Sequence, residues 1–212
     1  MSNCTYDKQT ITEEVFNFIY ISALRDATIQ KAFQGKKAWI KNVEGAKTAV
    51  RTHVCKLLNG EFKSETEHDE SFLCTVRDVC NAVNENAEND YFTFGNAQKL
   101  INMSAKYAYT ICLADPTYRE RFRFCHCPMD LGMLDKVWYM HKGKFNEKRL
   151  GSHDSFCSSW STETAEDQTF PDRYNKFQQA VKDIIANTEI YPIEFDYFEW
   201  GKDFQKKQSQ NE

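Results

Sequence analysis

The side chains best suited to chemistry lie in two short stretches, a helix-like segment and a turn that contains a histidine. In the first, Lys99, Asn102 and Lys106 are spaced three and four residues apart, so they share one helical face. We call these three residues the polar stripe. Most residues between them are apolar or small, which predicts a helix buried on several sides. Buried ammonium groups need a partner, and the candidate is Asp130, at the end of the turn that contains His126.

The polar stripe and the turn allow two interpretations. In a structural one, Asp130 caps the next helix, Lys106 neutralises its charge, and His126 hydrogen-bonds a loop carbonyl. In a functional one, Lys99 and Lys106 form a cationic cleft that holds a phosphate, and His126 transfers a proton. The sequence leaves both interpretations open.

Cysteine and histidine residues near the turn predict a structural zinc site. Cys125 and Cys127 form one candidate ligand pair, and His153 and Cys157 form a second, about 25 residues further on. Thiolate and imidazole ligands in a tetrahedron would organise a stretch that otherwise lacks a regular pattern. Against this, Cys-x-Cys is a less common ligand pair than Cys-x-x-Cys, and a buried free cysteine behaves as a small hydrophobe.

The remaining histidines give weaker signals. His53, His68 and His141 are isolated in the sequence, which favours structural or solvated roles. The charged run 65–70 is expected to be a solvated loop, in which His68 and Asp69, between two glutamates, could bind a divalent ion weakly.

Composition restricts the class of protein. The chain has 212 residues, 41% of them hydrophobic, with 16 Phe, 10 Tyr and 4 Trp, which is enough to fill a core. The net charge of −4 does not suit a general polyanion binder, so any nucleic-acid contact would come from a local cluster. No apolar run is long enough for a membrane span, and the N-terminus lacks the features of a signal peptide. The eight cysteines are therefore expected to be free thiols in a cytoplasmic protein.

Hydrophobic periodicity predicts an all-α fold. We expect residues 1–212 to form a single domain of about six helices, with an N-terminal helical part (1–90), a motif-bearing part (91–204) and an irregular segment around 143–170. The aromatic stretch 191–204 is expected to pack back onto the body. The predicted helices span residues 12–33, 37–58, 70–85, 94–113, 130–141 and 172–186.

An ordered set of motifs in the second half of the chain resembles a widespread family of uncharacterised bacterial and phage proteins. The resemblance covers residues from about 94 to 200 and implies a helical fold, but no activity. The motifs are Phe94-Gly95-x-Ala97-Gln98-Lys99-x-x-Asn102-x-x-x-Lys106-Tyr107, then His126-Cys127-Pro128-x-Asp130, Trp160 and Tyr174-x-x-Phe177-Gln178.

A weaker resemblance is to HEPN-type helical ribonuclease domains, whose signature is an arginine followed by a histidine with four to six residues between them. Arg121 and His126 fit this spacing, as do Arg119 and His126. The resemblance implies metal-independent cleavage of RNA, in which His126 moves a proton and an arginine stabilises the charged phosphorane. It also implies a homodimer. However, Pro116 and Pro128 flank the segment, which favours a loop, whereas the HEPN motif lies on a helix.

Three functions follow from these patterns. An endoribonuclease, or another RNA-directed factor in bacterial or phage conflict, ranks barely ahead of a binding module that blocks or senses another macromolecule. The acidic and aromatic stretch from Tyr191 to Trp200 would suit such a module. A protein with a structural zinc ion and no other cofactor is the third.

Overall fold

The computed structural model describes residues 8–28, 43–85, 92–141 and 170–209. These residues form α-helices and one short 3-10 turn, Glu120–Phe122, with no strand among them, so the prediction of an all-α fold is confirmed. No helix in the described part of the chain is long and apolar enough to cross a membrane. The α-helices are α1 (Lys8–Thr28), α2 (Glu44–Leu58), α3 (Glu65–Asn84), α4 (Phe94–Cys112), α5 (Pro116–Arg119), α6 (Leu131–Met140), α7 (Phe170–Ile185) and α8 (Pro192–Ser209).

Helix α4 lies at the centre of the packing. The sequence sets its start, because the side chains of Thr93 and Asn96 form a reciprocal capping box at its N-terminus. Asn96 also donates to the carbonyl of Ala27, which joins this cap to the end of α1. Helices α1, α2 and α3 all pack against α4, and α7 packs against α6 and α8. Side chains from both halves of the chain contribute to one hydrophobic core.

Between the 3-10 turn and α6, the segment Cys125–Asp130 has no regular structure, although most of its residues are buried. Two glutamines satisfy its backbone. Gln178 of α7 accepts from the Cys127 N–H at 3.0 Å and donates to the Cys127 carbonyl at 2.9 Å. Gln98 of α4 does the same for Met129, accepting at 3.4 Å and donating at 2.5 Å. Each side-chain amide thus makes the two backbone hydrogen bonds that a neighbouring β-strand could otherwise have made.

One predicted loop is wrong. Residues 65–69, expected to form a solvated loop, are the first five residues of α3. Ser64 accepts from the backbone N–H of Glu67 at 3.2 Å, and the Glu67 carboxylate accepts from the backbone N–H of Lys63 at 2.8 Å. Ser64 and Glu67 have the Ser-x-x-Glu spacing of a helix N-terminus, and the two glutamates of the first turn suit the helix dipole.

Several other boundaries agree with expectation to within about two residues, as is usual for helix ends, whereas α1 begins at Lys8, four residues before its predicted start. The agreement holds for the C-terminal ends of α2 and α3 and for both ends of α4, α6 and α7. The stretch 191–204 contains most of α8 and contributes Ile193 and Phe195 to the core. The irregular segment predicted around 143–170 lies outside the described residues, except for Phe170, at which α7 begins.

We predict that Gln178→Ala lowers the free energy of unfolding by about 2–4 kcal/mol, because it leaves a buried N–H and a buried carbonyl of Cys127 without their partner. Urea denaturation followed by circular dichroism measures the change. The control is Gln179→Ala, one residue along the same helix but exposed, which should change stability by less than about 0.5 kcal/mol. Equal effects of the two substitutions would contradict this role for Gln178.

Candidate functional site

His68 and Asp69, near the start of α3, meet His126 from the buried segment. The Nε2 atom of His126 lies 2.8 Å from Oδ1 of Asp69, and Nδ1 of His68 lies 3.2 Å from the same oxygen. The ligand-type atoms of the three residues all lie within 4.8 Å of one another. Within the described part of the chain, this is the one group of three or more histidine, cysteine or acidic side chains so arranged.

Aromatic rings enclose the two imidazoles. The ring of His126 packs edge-on against His68 and Phe72, each with a centroid separation of 4.8 Å. The ring centroid of His53 in α2 lies 5.3 Å from that of His68. His53, expected to be isolated, therefore joins His68, Asp69 and His126 in what we call the histidine cluster. Both imidazole side chains are 1% exposed, whereas the Asp69 side chain is 28% exposed. Asp69 is therefore the one of the three ligand-type residues that solvent reaches.

A chain of hydrogen bonds continues inward from His126. Its Nδ1 atom lies 2.9 Å from the hydroxyl of Tyr174 in α7. That hydroxyl accepts from Nδ2 of Asn102 at 2.9 Å, and the same amide nitrogen donates to Oε1 of Gln98 at 3.1 Å. The Asn102 member of the polar stripe thus belongs to the histidine cluster.

Burial and hydrogen bonding set the charges in the cluster. Burial lowers the pKa of His126 to about 4, although its hydrogen bond to Asp69 acts in the opposite direction. Burial also lowers the pKa of His53 well below its usual value, with further contributions from His68 and His126. For Asp69, burial alone would raise the pKa, but hydrogen bonds from His126 and His68 hold it well below the usual range. At neutral pH, Asp69 is ionised while His53 and His126 are neutral.

The two lysines of the polar stripe do not converge on His126. Lys99 lies 3.3 Å from Asp130, whose other oxygen caps α6 by accepting from the Met133 N–H at 2.9 Å. Lys106, expected to neutralise Asp130, instead pairs with Asp196 of α8. Lys106 is seven residues further along α4, a rise of about 10 Å, which places it beside α8. The cap of Asp130 matches the structural interpretation, but its partner lysine differs.

The two arginines also have partners of their own. The Arg119 guanidinium donates to both oxygens of Glu194 at 2.8 Å, in a two-point contact. Arg121 donates to the backbone carbonyl of Leu58 and covers the ring of Tyr118 at 4.3 Å. None of these arginine contacts involves His126, which instead hydrogen-bonds Asp69 and Tyr174 and is 2% exposed. The structure does not bring these residues together as a ribonuclease pair, and the ribonuclease itself stays a prediction.

Of the four predicted zinc ligands, Cys125 and Cys127 are described, whereas His153 and Cys157 lie outside the described residues. Both described thiols are buried, and burial raises the pKa of each, which disfavours the thiolate that a metal needs. The zinc site at these four residues therefore stays a prediction.

Comparisons with protein-family models, with curated proteins and with solved structures gave no match.

The sequence indicates His126 and Asn102 as site residues but not their arrangement. It indicates His68 and Asp69 only as weak ligands in a loop. A signal for their placement was present, because a helix that starts after Ser64 puts His68 four residues before Phe72, on the face that is buried.

The contact between Arg119 and Glu194 predicts a pH-dependent stability. Burial alone would raise the pKa of Glu194, but hydrogen bonds from Arg119 and Tyr109 lower it below its ordinary value of 4.5. A depressed carboxyl pKa stabilises the fold above the ordinary value, and this contribution is lost as the pH falls through the folded value. Glu194→Gln should therefore cost about 2 kcal/mol at pH 6, and the difference from wild type should shrink below pH 4.5.

Urea denaturation of both proteins from pH 6 to 3 measures this difference. Glu13→Gln is the control, since the Glu13 side chain is 53% exposed beside Arg51 at 3.5 Å and should matter little at any pH. A cost of Glu194→Gln that stays constant down to pH 3 would contradict the assignment.

Proposed function

We propose that the protein binds a divalent transition-metal ion, zinc in the first instance, through His68, Asp69 and His126, and that this ion is the centre of its activity. The observation that carries the proposal is that two imidazole nitrogens and a carboxylate oxygen lie within 4.8 Å of one another. Tetrahedral zinc with bonds near 2.0–2.1 Å needs ligand atoms about 3.3 Å apart. Small side-chain movements would therefore suffice.

The donor set indicates the class of ion. Imidazole nitrogen suits zinc, copper, iron and nickel, whereas calcium and magnesium prefer oxygen ligands alone. Two histidines and one carboxylate are also a ligand set of catalytic zinc sites, in which water occupies the fourth position. The exposed edge of Asp69 is where that water would meet solvent.

The protonation of the cluster suits a metal ion. An ion must displace protons from its ligands, and at neutral pH His126 carries no extra proton while Asp69 is already ionised. A negative carboxylate between two imidazoles also supplies charge that a dication would neutralise. Lys182, which is paired with Glu65, also lowers the pKa of Asp69 through its charge, and this charge would oppose the ion to a smaller extent.

A metal-bound water would supply the chemistry for hydrolysis, because zinc lowers the pKa of its water towards 7. RNA or another macromolecule as substrate or partner, and a homodimeric state, remain proposals that come from the sequence. If the protein does cleave RNA, the contacts of Arg119, Arg121 and His126 favour cleavage through the metal centre over cleavage by an arginine–histidine pair.

We predict that the purified protein binds close to one equivalent of zinc, and that Asp69→Asn and His68→Gln abolish this stoichiometric binding because each removes a ligand. Calorimetric titration and elemental analysis after dialysis measure the stoichiometry. Zinc should also raise the unfolding temperature of the wild type but not of the variants, because an ion that binds only the folded state stabilises it.

Two control variants separate this site from others. His141→Gln alters a histidine that lies 3.3 Å from Asp183, a pair of similar chemistry, and should leave zinc binding unchanged. Cys157→Ser tests the cysteine site predicted from the sequence and should also leave it unchanged. Loss of zinc in Cys157→Ser, or full binding in Asp69→Asn, would overturn the proposal.

RNA cleavage assays with and without a chelator then test the activity. Activity that survives chelation and is lost in His126→Ala would favour the metal-independent mechanism instead.

A further inference from the structure

Helix α1 buries one side against the rest of the protein and exposes an apolar patch on the other. The opposite side from the core carries Val15, Phe18 and Ile21, which are 41%, 63% and 46% exposed. Single apolar side chains on a surface are ordinary, but three on one side of one helix indicate an interaction surface. The inner side of α1 packs mainly on α4 and contributes six residues to the core, namely Phe16, Ile19, Tyr20, Ala23, Leu24 and Ala27.

Charged residues flank this patch, one of each sign. Glu14 and Arg25 are both exposed, and within the described part of the chain neither takes part in an ion pair. With Phe18 and Ile21 between them, they are spaced four, three and four residues apart. This is the spacing of the contact residues in two paired helices. We call these four residues the outer seam, which reads acid, apolar, apolar, base.

The order of the charges determines how a second copy of the outer seam would fit against the first. If the second helix runs antiparallel, Glu14 of each copy lies opposite Arg25 of the other, and Phe18 lies opposite Ile21. If it runs parallel, Glu14 meets Glu14 and Arg25 meets Arg25, and like charges repel. A two-fold axis generates each antiparallel contact twice. The outer seam is therefore complementary to itself in the antiparallel orientation alone.

We propose that α1 is a dimer interface, at which two copies of this chain pair antiparallel about a two-fold axis between Phe18 and Ile21. The interface goes beyond the proposed metal ion and does not depend on it, while it supplies a location for the homodimeric state named above. A contact of one helix per copy is smaller than the roughly 800 Å² per partner of a standard interface. The dimer is therefore weak and forms as the protein concentration rises.

Sedimentation equilibrium of the full chain over a range of concentrations tests the interface. We expect the wild type to shift from monomer to dimer as the concentration rises. Phe18→Gln should raise the dissociation constant about 100-fold, because each dimer loses two buried phenyl rings and each is worth about tenfold. The matched control is Phe198→Gln, which alters an aromatic side chain of α8 that is 53% exposed and outside the outer seam. It should leave the dissociation constant unchanged.

Charge reversal tests the antiparallel orientation. Glu14→Arg and Arg25→Glu, made separately, should each weaken the dimer about tenfold, because two attractive contacts become repulsive. The double variant again places opposite charges across the interface and should recover most of the wild-type affinity. In a parallel dimer, Glu14→Arg alone would not weaken the association. Both side chains are exposed, so circular dichroism should show that all three variants fold.

A wild type that stays monomeric up to about 1 mM overturns the proposal. A dimer that Phe18→Gln leaves intact, or that the double charge variant does not restore, overturns it as well. A monomeric wild type that Phe18→Gln destabilises would show instead that another part of the same chain covers this face. Asp69→Asn removes a proposed zinc ligand and should dimerise as the wild type does, so the failure of the metal site and the failure of the interface are distinguishable.

Discussion

The pairing of two glutamines with a buried backbone segment is the interaction on which the rest of this structure depends. Residues 125–130 cross the interior without regular structure, and an unpaired backbone group there would cost about 1–3 kcal/mol. Gln98 and Gln178 remove that cost at Met129 and Cys127, from helices on two sides. Because the segment is held at Cys127 and at Met129, the positions of His126, just before the first, and Asp130, just after the second, are determined as well.

These positions connect the fold to the site. Asp130 starts α6 and meets Lys99, next to Gln98 on α4. His126 turns towards α3 and meets Asp69 there. Gln98 also orients Asn102, and through it Tyr174, so the side chain that supports the backbone also directs the hydrogen bonds of the histidine. A buried polar network of this kind specifies one arrangement only when each member is satisfied, and here Gln98, Asn102, Tyr174 and His126 each have hydrogen-bond partners.

The distribution of charge has a second consequence. Lys106, Arg119 and Arg121, which the sequence offers as cations for a phosphate, each bind an acidic residue or a backbone carbonyl of another element. They join α4, α5 and the 3-10 turn to α8 and α2, and their cost of burial is offset by these contacts. The acidic part of the tail, which looked like an interaction surface, supplies Glu194 and Asp196 as two of the partners.

Much of the fold was predictable from the sequence, because helix periodicity, caps and proline positions act over a few residues. The all-α class, the limits of α4 and α6, and the cap by Asp130 are local properties of this kind. The start of α3 is also a local property, set by Ser64 and Glu67, although the charged run around them favours a loop. The sequence also indicated that the polar stripe and the turn belong together, since buried polar groups need partners.

Only the tertiary structure decided which partners they find. His68 and Asp69 are 57 or more residues from His126, and Tyr174 is 48 residues beyond it, so no spacing rule relates them. Hydrogen bonding sets how each polar side chain is satisfied, but packing sets which groups lie within reach. For the same reason Lys106 met Asp196 instead of Asp130. The sequence alone determined that the turn with His126 would lie against the polar stripe, and packing determined that His126 would face a carboxylate and a second histidine.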